Sequence, residues 1–368
     1  MPSLSKLFGH DSAQQVLRRA LESGNLPGTY LFVGNNGVGK GALAQAFAQA
    51  VACLNPQRQP FDACGACISC REALRGHNPE IVTLSPAGEQ MQIWQFWDRD
   101  NHPPGVLTHS LPYAPSLGKK RVYIIERAES LNESAANSLL KVLEEPPEYA
   151  LFILLAAHTA RVLPTIVSRC QTVRLFASPV EELTEYLKST LGVEPSRAEV
   201  VAAYAEGRVG QAIRMAQHPE VGTEIERILD FAEGLPVAPH VRALRLAEQL
   251  RKLSGQVKAL SGESTSSESE KGGGEEGGKE RVGRQQLATV FDILIAFYRD
   301  LLTLSVGGEA AKRVVNRDRL TKLSLLAQQG TPERWISCMD SILLARRWLD
   351  ANANITMLTE TLTMRLLR

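Results

Sequence analysis

No charge of one sign dominates this chain: 41 Lys and Arg stand against 40 Asp and Glu, a formal net charge of +1 over 368 residues. That balance argues against nucleic acid as the main ligand and leaves room only for a local DNA contact. Long apolar runs are missing as well. None approaches the roughly 20 residues that a membrane-spanning helix needs, and the first residues, Met1-Pro-Ser-Leu-Ser-Lys6, lack the apolar core of a signal peptide. A cytoplasmic protein without membrane contact is expected, long enough for two or three domains.

A smaller absence carries more meaning. Leu31-Phe-Val-Gly34-Asn-Asn-Gly37-Val-Gly39-Lys40-Gly41 reads as a buried strand entering a phosphate-binding loop of the form G-x-x-x-x-G-K-[ST], but glycine stands where Ser or Thr belongs. In such loops Gly34, Gly37 and Gly39 let backbone N–H groups close around phosphates, Lys40 neutralises their charge, and the final hydroxyl ligates Mg²⁺. Gly41 removes that last ligand. A second strand, Arg121-Val-Tyr-Ile-Ile125, ends in Glu126-Arg127. Its form is that of a strand whose first acid holds the metal and whose second polarises water. Glu126 is one methylene longer than the usual Asp, and Arg127 cannot act as a base because a guanidinium does not deprotonate in proteins. ATP or ADP binding is therefore expected to be weak or absent. Taken alone, either stretch also reads as an ordinary turn or a strand with a solvated charged end.

Cysteine is not scarce but is unevenly placed: Cys53, Cys64, Cys67 and Cys70 cluster, while Cys170 and Cys338 lie far away and read as small core residues. In a reducing compartment the cluster points to a metal rather than to disulfides. Four thiolates match the closed tetrahedral site of structural Zn²⁺, with an iron–sulfur cluster or unligated thiols as alternatives.

Strong helix formers follow the phosphate loop, an amphipathic segment from Asn132 to Glu145 is stopped by Pro146-Pro147, and Leu151–Ala157 reads as another buried strand. Strands alternating with helices imply an α/β fold, a parallel sheet covered by helices on both faces. Asp11 is placed as the cap of a first helix. The expected domains are 1–176, a nucleotide-binding domain with a zinc-binding insertion at 53–70; 177–217, a small helical domain; and 218–368, an all-helical domain. Within the last, Leu287–Tyr298 and Trp335–Ala345 carry buried helical faces. Residues 261–281, acidic and rich in Gly and Ser, have no apolar side chain to offset the entropy of ordering over most of their length and are expected to form a disordered loop.

Thr165-Ile-Val-Ser168-Arg169-Cys170, taken with Leu139-Leu-Lys141-Val-Leu-Glu144-Glu145-Pro146-Pro147 and the cysteine insertion, resembles the clamp-loader branch of the AAA+ ATPases. The motifs cover about residues 4–215; the helical remainder matches only in domain order. The resemblance implies an AAA+ P-loop sheet, a small helical lid and a C-terminal helical collar. It also implies that Arg169 reaches across a subunit boundary to the γ-phosphate of ATP held by a neighbour, where a fixed guanidinium fork neutralises developing charge. By the same resemblance, partners would be gamma or tau and delta clamp-loader subunits in a hetero-pentamer of the DNA polymerase III holoenzyme, and through it the sliding clamp and primer-template DNA. The sensor positions are depleted: Ala156-Ala157-His158-Thr159 leaves His158 or Thr159 for the first, and Gly207-Arg208-Val209-Gly210 puts glycine at the second, with Arg208 or Arg214 as substitutes. This pattern reads as a non-hydrolysing, comparatively rigid stator that completes another subunit's site. The alternatives are an active gamma-like ATPase in which Glu126 holds Mg²⁺, and a zinc-dependent nucleic-acid-binding module, for which residues 62–71 carry little basic or aromatic character.

Overall fold

The computed structural model describes residues 3–58, 61–88, 90–118, 120–218, 220–257, 275–308 and 314–367. Strands β1 (Thr29–Val33), β2 (Gln57–Arg58), β3 (Phe61–Asp62), β4 (Ile81–Leu84), β5 (Arg121–Ile125), β6 (Ala150–Ala156) and β7 (Gln171–Arg174) are interleaved with helices α1 (Asp11–Ser23), α2 (Lys40–Val51), α3 (Ile68–Leu74), α4 (Val106–Ser110), α5 (Glu133–Glu144) and α6 (Pro164–Val167). Five of the strands form one parallel sheet in the order β4-β5-β6-β1-β7. The β2–β3 hairpin stands apart and belongs to the cysteine insertion.

Side chains of a strand alternate between faces, so a doubly covered sheet builds two cores. Tyr30, Phe32, Val122, Ile124, Leu151 and Ile153 join Leu17 of α1 and Leu43 and Phe47 of α2 on one side. Leu31, Tyr123, Ile125, Phe152 and Leu154 join Ala135, Leu139 and Leu143 of α5 and Ile166 of α6 on the other. The expected α/β sheet with helices on both faces is thus present. Asn132 caps α5, its Oδ1 accepting from the N–H of Ala135 at 2.8 Å. Asp11 is not the cap of α1. His10 holds that position in the left-handed region (φ 62°), and Asp11 is the first helical residue.

At the N-terminal ends of the strands a buried ion pair ties the sheet edge together. Glu80 is fully buried and accepts from Arg121 Nε at 2.9 Å, from Ser116 N at 2.6 Å, from the Ser116 hydroxyl at 2.9 Å and from Leu117 N at 3.1 Å. Arg121 also donates to the carbonyls of Ser110 and Tyr113.

Cα packing groups the chain up to Pro179 with Gly207–Gly210 as one unit, and Val180–Glu206 with Gln211–Arg368 as a second. The second is built from α7 (Val180–Ser189), α8 (Pro195–Ala205), most of α9 (Val209–Gln217), α10 (Val221–Gly234), α11 (Ala243–Ser254), α12 (Glu275–Val306), α13 (Leu320–Ala327), α14 (Pro332–Asp350) and α15 (Ile355–Leu366). The expected apolar faces are buried inside it: Leu287, Phe291, Leu294, Phe297 and Tyr298 of α12, and Trp335, Cys338, Ile342 and Ala345 of α14. A buried polar chain joins α8 to α12 through the segment before α13, since the Tyr204 hydroxyl donates to Asn316 Oδ1 and Asn316 Nδ2 donates to Asp300 at 2.8 Å. The loop expected at 261–281 is corrected in part. Residues 275–281 form the first turns of α12, and 261–274 lie outside the described residues. No helix among the described residues is long and apolar enough to cross a membrane.

Burial alone would raise the Glu80 carboxyl, but the N–H groups of Leu117 and Ser116, the Ser116 hydroxyl and the Arg121 guanidinium outweigh it and hold it below the usual range. A depressed folded pKa contributes stability above the unfolded value of about 4.3, and that stability is lost as pH falls through the folded pKa. Glu80→Gln should therefore lower unfolding stability at neutral pH by about 3 kcal/mol, because Arg121 is left without its counter-charge. Urea denaturation across pH should show the gap closing in acid.

Candidate functional site

The phosphate loop leaves β1 at Gly34, whose N–H donates to the Ala156 carbonyl at 3.2 Å, and enters α2 at Lys40. Gly37 (φ 82°) and Gly39 (φ 114°) occupy backbone conformations that a side chain disfavours. Lys40 turns back on the loop, its Nζ donating to the carbonyls of Gly34 at 2.5 Å and Asn35 at 3.1 Å. Burial lowers its pKa, an effect opposed by the charge of Glu129. From the other side His10 Nε2 meets the Val38 carbonyl at 2.8 Å. A Cβ built on Gly41 would meet nothing within 4 Å, so packing does not exclude a hydroxyl there.

Glu126 lies beyond the end of β5 and accepts from the Ser85 hydroxyl at 2.7 Å. Arg127 sits in the left-handed region (φ 52°) with an exposed side chain. The carboxylate whose charge bears on Lys40 is a different one, Glu129. Its Oε1 accepts from the Ala157 N–H at 3.4 Å, and its buried Oε2 has no hydrogen-bond partner among the described residues. His158 is exposed and Thr159 begins a short 3₁₀ turn. At the second sensor position, a Cβ on Gly207 would run into the Ser178 carbonyl oxygen, and one on Gly210 would lie 3.0 Å from the Gly37 carbonyl oxygen. Gly210 therefore rests against the phosphate loop itself, with little room for a side chain.

Arg169 is placed by local geometry. Pro164 opens α6 with its φ preset for a helix, and the turn closes through Ser168 N to Pro164 O at 2.9 Å and Arg169 N to Ile166 O at 3.1 Å before β7 begins. The guanidinium donates from Nε (3.1 Å) and Nη2 (2.9 Å) to Glu144 Oε2, and from Nη1 to the Thr165 carbonyl at 3.0 Å. Cys170 behind it packs against the core, and burial raises its thiol to about 12.

Cys53, Cys64, Cys67 and Cys70 bring their four sulfurs within 4.8 Å of one another. The closest pairs are Cys53–Cys70 at 3.6 Å, Cys53–Cys67 at 3.9 Å and Cys64–Cys70 at 3.9 Å. A tetrahedron with Zn–S bonds of about 2.3 Å has S···S edges of about 3.8 Å, so the donor set fits. N–H groups of Cys64, Cys67 and Cys70 point at the sulfurs of Cys53, Cys64 and Cys67. Burial opposes ionisation of Cys67, but the Cys70 N–H, a backbone N–H near Leu54 and the neighbouring thiols lower it to about 6. Cys70 and Cys53 are pushed up, chiefly by burial. Four thiolates this close therefore need a cation to ionise together. The insertion also anchors the start of the chain: the buried Asp62 carboxylate accepts from Leu4 N (3.1 Å), Ser5 N (2.8 Å) and the Ser5 hydroxyl (2.6 Å).

The family model described as DNA polymerase III, delta subunit, matches residues 9–178. Subunit delta' of Bacillus subtilis is 26% identical over 96% of this chain and 94% of its own length. The chain is thus similar to DNA polymerase III delta-prime subunits, over 9–178 by the family model and over nearly its whole length by one relative. Subunit delta' of Pseudomonas aeruginosa is 34% identical over 46% of this chain and 49% of its own. Subunit tau of Escherichia coli is 29% identical over 58% of this chain but only 32% of its own.

Some residues of this site escaped the reading of the sequence. Glu129 stands four residues past the end of β5, where nothing local distinguishes it from a solvated acid. His10 and Asp62 act on segments 28 and 57 or more residues away. Glu144 lies within the motif that carries the resemblance, but pairing it with Arg169 needs the tertiary structure.

Two outcomes are expected. Elemental analysis should find one Zn²⁺ per chain, and Cys67→Ser should lose it, speeding amide exchange at Leu4, Ser5 and α3 while β1, β5 and β6 stay protected. Protein purified without chelator and containing no zinc would sink this assignment. ATP should bind weakly by calorimetry, with little difference between Mg²⁺ and a chelator, and Gly41→Ser should introduce Mg²⁺ dependence without unfolding the chain. Tight, strictly Mg²⁺-dependent binding with turnover by the native chain would favour an active ATPase instead.

Proposed function

We propose that this chain is a clamp-loader subunit that hydrolyses ATP very weakly or not at all, and that it supplies Arg169 to the ATP site of a neighbouring subunit. The observation that carries this reading is the contrast between two cations of one fold. Lys40 is turned onto the carbonyls of its own loop. The Arg169 side chain, 30% exposed, sits on a turn held rigid by its own hydrogen bonds. The missing hydroxyl at Gly41 and the guanidinium at Arg127 remove the metal ligand and the base from the chain's own site, and the resemblance to delta' over nearly the whole of both chains agrees with that role.

In this reading Lys40, Gly37 and Gly39 preserve the shape of a phosphate loop, and the structural zinc would hold the insertion that pins Leu4 and Ser5. The functional partners are ATP-hydrolysing gamma or tau subunits and a delta subunit in a ring-like pentamer that places the sliding clamp on primed DNA. Arg169 contributes charge and hydrogen bonds to the phosphoryl group in flight; it neither donates nor removes a proton.

The test is ATP hydrolysis by the reconstituted complex with Arg169→Ala. Assembly should be unchanged, while turnover at the adjoining site should fall by roughly a thousandfold or more, with the summed rate falling less because other sites keep their own arginines. Arg169→Lys should rescue poorly, since an ammonium keeps the charge but not the planar fork. Normal assembly with an unchanged rate at the adjoining site would make Arg169 a structural residue.

A further inference from the structure

Glu144, the last residue of α5, is an unfavourable place for a carboxylate. Its charge faces the negative end of the helix dipole. The side chain is 58% exposed, so its ion pair with Arg169 is screened by water and adds little to the stability of the fold. Neither local electrostatics nor stability accounts for the pair. Its geometry does better. Glu144 ends α5, seated in the core through Leu139 and Leu143, and Arg169 follows α6, seated in the same core through Ile166. Glu145 has left the helix ahead of Pro146-Pro147, which fixes where α5 ends and so where Glu144 stands.

We infer that Glu144 is a positioning residue for Arg169, holding the guanidinium plane so that its outer edge is presented across the subunit boundary; this rests on the trans-acting reading of Arg169. A guanidinium has five N–H bonds in one plane. Glu144 Oε2 takes one from Nε and one from Nη2, and the Thr165 carbonyl takes one from Nη1. One N–H on each terminal nitrogen remains. Where the Thr165 carbonyl takes the Nη1 hydrogen on the Cδ side, those two form the outer fork, whose spacing matches two oxygens of a phosphoryl group. An arginine held on its inner edge loses little rotamer freedom when its outer edge is used, so the contact is organised before a neighbour's nucleotide arrives.

A carboxylate beside a catalytic cation also subtracts charge from it. Restraint and charge subtraction predict opposite signs for Glu144→Ala, and Glu144→Gln separates hydrogen bonding from charge. Gln keeps a carbonyl oxygen able to accept from both Nε and Nη2 and removes the negative charge.

The experiment uses the full chain in the complex with its ATP-hydrolysing partner subunits, measuring single-turnover ATP hydrolysis at the adjoining site for Glu144→Ala, Glu144→Gln, Arg169→Ala and the Arg169→Ala/Glu144→Ala pair. Thermal melting and gel filtration check fold and assembly. The expected result is a fall of roughly tenfold to a hundredfold in the rate constant for Glu144→Ala with the apparent affinity for ATP little changed, as for a misplaced catalytic group. Glu144→Gln should recover to within a few-fold of native, and the double variant should be no worse than Arg169→Ala alone. A fall with Arg169→Ala but an unchanged or raised rate with Glu144→Ala would overturn the positioning role and leave the finger standing. An unchanged rate with Arg169→Ala would overturn the trans-acting reading, and the inference about Glu144 with it. Loss in the double variant well beyond that of Arg169→Ala would show that Glu144 acts through something other than Arg169.

Discussion

A strand buried on both faces has no place for a charge, and β6, buried at all seven of its positions, sets that rule for the sheet. Polar chemistry is displaced to the strand ends. The phosphate loop follows β1, Glu126 and Glu129 follow β5, and His158 and the turn bearing Arg169 follow β6. The opposite ends hold the Glu80–Arg121 pair, and the four-thiol insertion lies between α2 and β4. Chemistry at one end and anchoring at the other follow from the same burial. A parallel sheet starts every strand at one end, so the loops that follow its strands gather at the other.

The electrostatics of the phosphate loop turn on what satisfies one ammonium. Lys40 has two backbone carbonyls as acceptors and the charge of Glu129 to offset part of its desolvation. Hydrogen bonds from a charged donor are worth roughly 1.5–3 kcal/mol each, and a phosphate that recruits Lys40 has to replace them. A Mg²⁺ ion bridging loop and nucleotide would ordinarily add to the gain, but Gly41 has no oxygen to hold it. Gly210 lies close against Gly37 of this loop, leaving little room for a side chain there. The loop keeps the glycines and lysine of a nucleotide site, with Lys40 held by the loop's own carbonyls.

What the sequence disclosed divides along a physical line. Features written in local spacing were legible: the alternating buried strands, the glycines and lysine of the loop, the four thiols, and the proline stop after α5. Features requiring a partner far along the chain were not. Asp62 gathers Leu4 and Ser5, Glu129 acts on Lys40, and Glu144 holds Arg169, yet each acid looks like any other polar residue in its own neighbourhood. The cap of α1 was misassigned because Asp is a good cap by preference, whereas the Gly9–His10 turn, both residues at positive φ, moved the cap one residue upstream. At 275–281 the near-absence of apolar side chains argues for a loop, but the long α12 extends back to Glu275.

The altered positions differ in kind from those that are kept. Open space surrounds the missing side chain of Gly41, so a side chain there would meet no neighbour, and the Arg127 side chain is exposed. Gly207 is different, because any side chain there collides with the Ser178 backbone. In the proposed reading the fold serves what it positions, the turn that carries Arg169, more than its own phosphate loop. The turn from Leu163 to Cys170 runs from β6 to β7, and β7 takes its register from β1, Tyr30 opposite Gln171 through Val33 opposite Arg174. Preserving the sheet therefore preserves the place of Arg169, whether or not the sheet still handles a nucleotide of its own.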